Sequence, residues 1–212
     1  TGRIRPDPGA RLAHNRSELF PLTSLRQFEN FIAEVAGLRE EEVKFAHILL
    51  PHDPYMLAAD CTVKPESRWL DEHGPGNAAA REQGYADQVR CLQQRLERLL
   101  DALDRTPAGR EAIVLIHGDH GSRIAPTQPF VDGPQLSPRE LLMSYSAFFA
   151  IRVPGESPGE VPGTHSLGRL MADFRAREFA AAPRPAPAVD QVAVTDAAGT
   201  PREWRPLPGF TR

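Results

Sequence analysis

At two places in this chain an apolar run is followed by adjacent imidazole and carboxylate side chains, His52-Asp53 and Asp119-His120. Carboxylate oxygen with imidazole nitrogen is a donor set for Zn²⁺ or Mn²⁺, with Ca²⁺ a further candidate. Each pair follows an apolar run. Val43-Lys44-Phe45-Ala46-His47-Ile48-Leu49-Leu50 leads into Pro51-His52-Asp53-Pro54-Tyr55, and Ala112-Ile113-Val114-Leu115-Ile116 leads into His117-Gly118-Asp119-His120-Gly121. Neighbouring residues of a regular strand point to opposite faces, but Gly118 and Gly121 let the backbone turn and aim Asp119 and His120 at one centre. Arg123, just beyond, carries a guanidinium suited to gripping an anionic oxygen with two bonds. The competing reading is that His52 and His120 satisfy loop backbone groups, and that Arg123 is one solvated arginine among many.

These side chains need elements to carry them. Val43–Leu50 is rich in β-formers and stops at Pro51, so it is expected to be a buried strand whose carboxyl end delivers the His52 loop. Ala112–Ile116 reads as a second strand of the same kind. Between them Tyr85, Val89, Leu92, Leu96, Leu99, Leu100 and Leu103 recur at helical spacing. Asp87, Arg90, Gln93, Gln94, Arg95, Glu97 and Arg98 are assigned to the opposite, solvated face. Strand, helix, strand predicts a right-handed βαβ unit with parallel strands, which would bring both pairs to one sheet edge.

Elsewhere, Leu25, Phe28, Phe31, Ile32 and Val35 predict a helix from Ser24 to Ala36, with Ser24 as N-cap and Gly37 as stop. Residues 56–80 show no period and read as a long loop, which in a compact domain is more often functional than idle. Ser137-Pro138-Arg139-Glu140 is a capping box opening a short helix through Met143, Ala147–Val153 a third strand, and Ser166 the cap of a helix through Phe179. His47 and His117 are expected to be packed strand residues, and His165 part of a helix start. Residues 1–16 read as an arm, 17–180 as one α/β domain, and 181–212 as a Pro/Ala-rich spacer and tail with at most one strand, Val189–Val194.

Composition narrows the classes. The 212 residues are 41% hydrophobic and 25% charged, ordinary for a globular chain. A net charge of −3 lacks the basic excess of a nucleic-acid binder, and acidic residues interleave with the arginines, against a membrane-surface face. No apolar run approaches the roughly 20 residues of a membrane span, and Thr1–Pro6 has no apolar signal core. The 21 prolines, and basic residues that are arginine except for Lys44 and Lys64, read as genomic base composition. Cys61 and Cys91 lack metal-ligand spacing; each is most simply a free small residue, with a single bridge left open, so cysteine does not decide the compartment. Without a Gly-x-Ser-x-Gly elbow, a serine hydrolase ranks low. Oligomeric state is left open.

Three segments, Phe45–Tyr55, Tyr85-Ala86-Asp87-Gln88-Val89 and Ile113–Gly121, resemble in order and spacing the sulfatase-like branch of the alkaline phosphatase superfamily. That branch includes sulfatases, phosphoethanolamine transferases and lipoteichoic acid synthases, and the likeness covers residues 40–180. It implies an α/β fold with a mostly parallel central sheet flanked by helices, one or two divalent metals, and attack on a phosphate or sulfate ester by serine, threonine or formylglycine. On this resemblance Asp119 and His120 correspond to adjacent metal ligands. His52 corresponds to the histidine of a His-x-Pro turn, a substrate contact or second-metal ligand, and Arg123 stands where it can clamp the anion. The resemblance also implies an extracytoplasmic location, periplasmic or cell-surface, with any membrane anchor in an upstream segment.

The pattern departs from that family before residue 45, where no apolar strand ends in an aspartate followed by a nucleophile. Neither Cys61-Thr62-Val63-Lys64 nor Cys91-Leu92-Gln93-Gln94 matches a Cys-x-Pro-x-Arg sulfatase signature. The expectation is therefore a partial domain lacking its N-terminal strands, the C-terminal half of a metal-dependent hydrolase or transferase. Its nucleophile would lie elsewhere, and its own esterase activity would be slight. The alternative is a non-catalytic domain that binds a glycan or a protein partner through residues 56–80 and the proline-rich ends.

Overall fold

A computed structural model describes residues 19–73, 77–122, 124–125, 136–180, 191–195 and 201–206; the expected arm at 1–16 and spacer at 181–188 lie outside them. The chain divides into two units, Thr1–Gly37 with Glu41–Ala102, and Leu38–Glu40 with Leu103–Arg212.

The first unit is built on α1 (Phe20–Val35), α2 (Glu66–His73) and most of α3 (Ala78–Asp104). Pro21 sits in the first turn of α1, where its fixed φ favours the helix and its missing N–H is not needed. The helix therefore starts earlier than the Ser24 cap expected from sequence. Ser24 is instead a buried interior residue, and its Oγ accepts the Leu49 N–H at 3.0 Å. Pro21, Ser24, Phe28, Ile32 and Val35 make the buried stripe of α1. Glu29 on α1 takes ion pairs from Arg95 (2.7 Å) and Arg98 (2.9 Å) on α3. Leu50, Leu57, Cys61 and Cys91 form a buried cluster, with Leu22, Leu25, Ile48 and Leu92 packed against it.

Several expectations are overturned here. Val43–Leu50 forms no strand: Val43 is 93% and Phe45 86% exposed, and His47 is exposed rather than packed. Strand preference measures fit to a half-buried pleated surface, and among the described residues no strand lies alongside this run. Its end, Ile48 and Leu50, reaches the apolar cluster instead. Residues 56–80 are not a bare loop, since they hold α2 and an antiparallel bridge between Leu57 and Val63. Cys61 and Cys91 are bonded to each other.

The second unit holds α4 (Pro107–Arg110), β1 (Val114–His117), α5 (Pro138–Tyr145), β2 (Phe149–Arg152), α6 (Leu167–Phe179), β3 (Gln191–Thr195) and β4 (Pro201–Pro206). The capping boundaries were readable from sequence. Ser137 accepts from the Glu140 N–H while the Glu140 carboxylate accepts from the Ser137 N–H, and Ser166 caps α6. Thr106 caps α4, and a Cβ on Gly109 would fall 2.1 Å from the Leu103 carbonyl oxygen, so only glycine fits that turn. Arg152 clamps β2 in place through Asp104 (2.6 Å) and the Gly109 carbonyl (2.7 Å).

β1 pairs with β2 and does so antiparallel, Val114 opposite Arg152 and His117 opposite Phe149. The predicted βαβ unit and the alkaline-phosphatase-like, mostly parallel central sheet are therefore absent among the described residues, whose strands form two two-stranded antiparallel sheets. A crossover rule applies only when both strands join one sheet, and the run at 43–50 joins none. The tail has a hairpin, β3 against β4, where one strand at most was expected.

Candidate metal and anion site

In the second unit, β1 ends at His117 and its ladder is prolonged by Gly118 N–H donating to the Phe148 carbonyl (2.9 Å). The chain then turns. Gly121 N–H donates to the Ser144 carbonyl (2.9 Å) and Ser122 N–H to the Met143 carbonyl (2.6 Å), both at the carboxyl end of α5. A Cβ at Gly121 would sit 2.1 Å from the Met143 oxygen, so this approach requires glycine.

Asp119 and His120 lie between those ties. Asp119 Oδ2 is 3.6 Å from His120 Nε2, with the side chains 78% and 32% exposed. His120 Nδ1 is 2.7 Å from the Gly121 carbonyl oxygen. A carbonyl only accepts, so Nδ1 carries a proton; in the neutral ring Nε2 then holds the lone pair through which histidine ligates a metal. Two N/O ligands of a tetrahedral Zn²⁺ lie about 3.4 Å apart, close to the observed separation. The pair supplies two donors; among the described residues no group of three His, Cys, Asp or Glu is placed to hold one ion. His117, expected to be packed, is exposed, with Nδ1 3.1 Å from the Gly118 carbonyl. His165 contacts the Pro162 carbonyl just ahead of the Ser166 cap. Arg123 lies outside the described residues.

His52 belongs to the first unit, in a loop whose peptide bonds before Pro51 and Pro54 are cis. Its Nδ1 donates to the Asp53 carbonyl and is 3.2 Å from the Asp53 carboxylate, so Nε2 is again the free ring atom. The ring meets the Phe20 ring edge-on, with centroids 6.2 Å apart. Below the loop lies Gln88 of α3, which is 0% exposed. Its Nε2 donates to the His52 carbonyl (2.8 Å) and its Oε1 accepts the Leu57 N–H (3.3 Å).

Further along the same stretch, Lys64 Nζ is 3.1 Å from Asp87 Oδ2, Cys61 is bonded to Cys91, and Gln94 Nε2 donates to the Ala59 carbonyl (2.8 Å). Asp87 also receives Gln83 (2.9 Å) and Arg90 (3.4 Å), and Arg68 approaches to 3.9 Å. Asp87 is thus buried, not on the solvated face to which its charge assigned it. The signal for these missed residues was spacing: Asp87, Gln88, Cys91 and Gln94 fall on one side of a helix. Tyr55 is buried against Tyr85, ring centroids 5.9 Å apart. Burial first, then the Asp53 charge, pushes the Tyr55 phenol well above its ordinary value, and burial raises Tyr85 as well.

No protein-family model matches the chain, and no curated protein or solved structure does.

Proposed function

We propose that this chain takes part in metal-dependent hydrolysis or transfer of phosphate or sulfate esters. The observation that carries the reading is the Asp119–His120 turn. A carboxylate oxygen and an imidazole lone pair stand 3.6 Å apart on a backbone that tolerates only glycine at 121, with the other ring nitrogen already satisfied. This donor chemistry suits Zn²⁺ or Mn²⁺. When bound, such an ion supplies Lewis acidity toward ester oxygens and a hydroxyl.

The chain's own residues have separate tasks. Asp119 offers an anionic oxygen, His120 offers Nε2, and the Gly121 carbonyl holds the His120 ring in the correct tautomer. Arg123 is assigned a grip on the ester anion from its place in the sequence. His52, in the first unit, has Nδ1 engaged by the Asp53 carbonyl, which leaves Nε2 as the ring atom open to a ligand. Among the described residues no helix is long and apolar enough to cross a membrane. The Cys61–Cys91 bond supports an extracytoplasmic setting, because disulfides persist in oxidising compartments.

Calorimetric titration of the whole chain with inorganic phosphate and with sulfate, each with and without Zn²⁺ or Mn²⁺, tests the reading. Anion binding that requires the metal and weakens about tenfold or more in Asp119→Ala supports it. Metal-independent binding, or none, contradicts it.

A further inference from the structure

We propose that residues 42–48 are a docking edge for a second copy of this chain, the two runs pairing antiparallel about a two-fold axis at Phe45. The inference is independent of the metal reading. Val43 is 93% and Phe45 86% exposed, more than any other large apolar side chain among the described residues. Exposure alternates here as it does along a strand. Phe45 and His47 face water, Ala46 and Ile48 are half-buried, and Ile48 packs on the Leu50 cluster. Among the described residues no backbone hydrogen bond engages residues 43–48. Their N–H and C=O groups are therefore a template for another strand.

The symmetry of the run selects the occupant. Glu41, at φ 62, breaks it on one side. Leu49 closes it on the other, where its N–H donates to Ser24 Oγ. Phe45 is left at the centre. A two-fold axis there sets Phe45 opposite Phe45 of the second copy and Val43 opposite the second copy's His47, so the exposed side chains meet one another. The charges accept this register. Lys44 faces the second copy's Ala46, Glu42 faces its Ile48, and Lys44 is already paired with Glu42 of its own chain at 3.7 Å. Moving the axis to Lys44 would set two lysines face to face, which opposes pairing. A foreign strand would have to bring a matching pattern of apolar and charged residues, whereas a second copy carries it. Such a contact uses the same patch on both molecules and closes at two.

The test is sedimentation equilibrium of the full chain with its disulfide intact, as wild type, Phe45→Lys, Phe45→Glu and an equimolar mixture of those two variants. One short two-stranded ribbon is a small contact, so wild type is expected to dimerise with a dissociation constant of about 10–100 μM and to be monomeric when more dilute. Each variant alone sets like charges opposite each other at the axis and should weaken the dimer at least about tenfold. The mixture sets opposite charges there and should regain the wild-type affinity in a dimer holding one chain of each kind. Phe45 is nearly bare in the single chain, so both variants, diluted, should unfold as dilute wild type does. Wild type that stays monomeric to about 500 μM overturns the proposal, as does assembly that continues past two copies. A dimer that neither variant weakens places the contact elsewhere and overturns it too. A mixture no tighter than its components overturns the axis at Phe45.

Discussion

Lys64 Nζ and Asp87 Oδ2 are 3.1 Å apart with side-chain exposures of 1% and 10%, an ion pair almost wholly removed from water. It ties the stretch beyond the His52 loop to α3. Taking each charge out of water costs several kcal/mol, which the partner offsets only while it is present. Asp87→Ala is expected to lower unfolding free energy by about 3–5 kcal/mol. Lys64→Met combined with Asp87→Leu should recover most of that loss, since no buried charge is then left alone. Arg68 and Arg90 are more than half exposed beside Asp87 and should contribute little to the cycle. Urea unfolding of wild type, Asp87→Ala and the double variant checks this.

The Cys61–Cys91 bond spans 30 positions of chain. Closing a loop of that size in the unfolded state is worth about 3–4 kcal/mol in the chain-entropy account. The double variant Cys61→Ser with Cys91→Ser should lose that amount in urea unfolding. Adding reductant to wild type should move its transition toward the variant's, and reductant should not move the variant.

Exposure separates two apolar residues that composition treats alike. Phe45 is 86% exposed and Leu57 is 0% exposed. Phe45→Ser should change stability by less than about 0.5 kcal/mol, whereas Leu57→Ala should cost about 2–5 kcal/mol. Thermal unfolding of both variants is the check, and a large loss in Phe45→Ser would mean the 43–50 run is covered in solution.

The raised phenols of Tyr55 and Tyr85 have a pH consequence. An unfolded tyrosine ionises near about pH 10, while the buried ones hold their protons to higher pH. The folded state therefore binds more protons above that point. The contribution is fully present below about pH 10 and is lost as pH rises toward the folded values. Tyr55→Phe should flatten the alkaline fall in stability, measured as the urea midpoint between about pH 8 and 11.

How far the sequence could be read depended on the range of the interaction. The α3 helix, the Ser137 capping box and the Ser166 cap are local signals, and each is present, although the most buried face of α3 over its middle turns is Asp87, Gln88 and Cys91 rather than the expected apolar stripe. Val43–Leu50 has the composition of a buried strand, but strand formation depends on a partner that composition does not contain. Ser24 reads as a cap because serine prefers caps, yet Pro21 begins the helix earlier and frees Ser24 for Leu49. Asp87 reads as solvated because it is charged, and Lys64, distant in sequence, is what buries it. At the Asp119–His120 turn the flanking glycines were legible; the contact that makes Gly121 obligatory comes from α5 and was not.

The most direct test of the account is a Zn²⁺ titration of the whole chain, followed by calorimetry and by the His120 ring ¹⁵N shifts. The account predicts binding through His120 Nε2, with affinity lowered at least about tenfold in Asp119→Ala and in His120→Ala, and lowered also in Gly121→Ala, where the turn cannot close. Zn²⁺ binding that is unchanged in the Asp119 and His120 variants, or no binding at all, would contradict it.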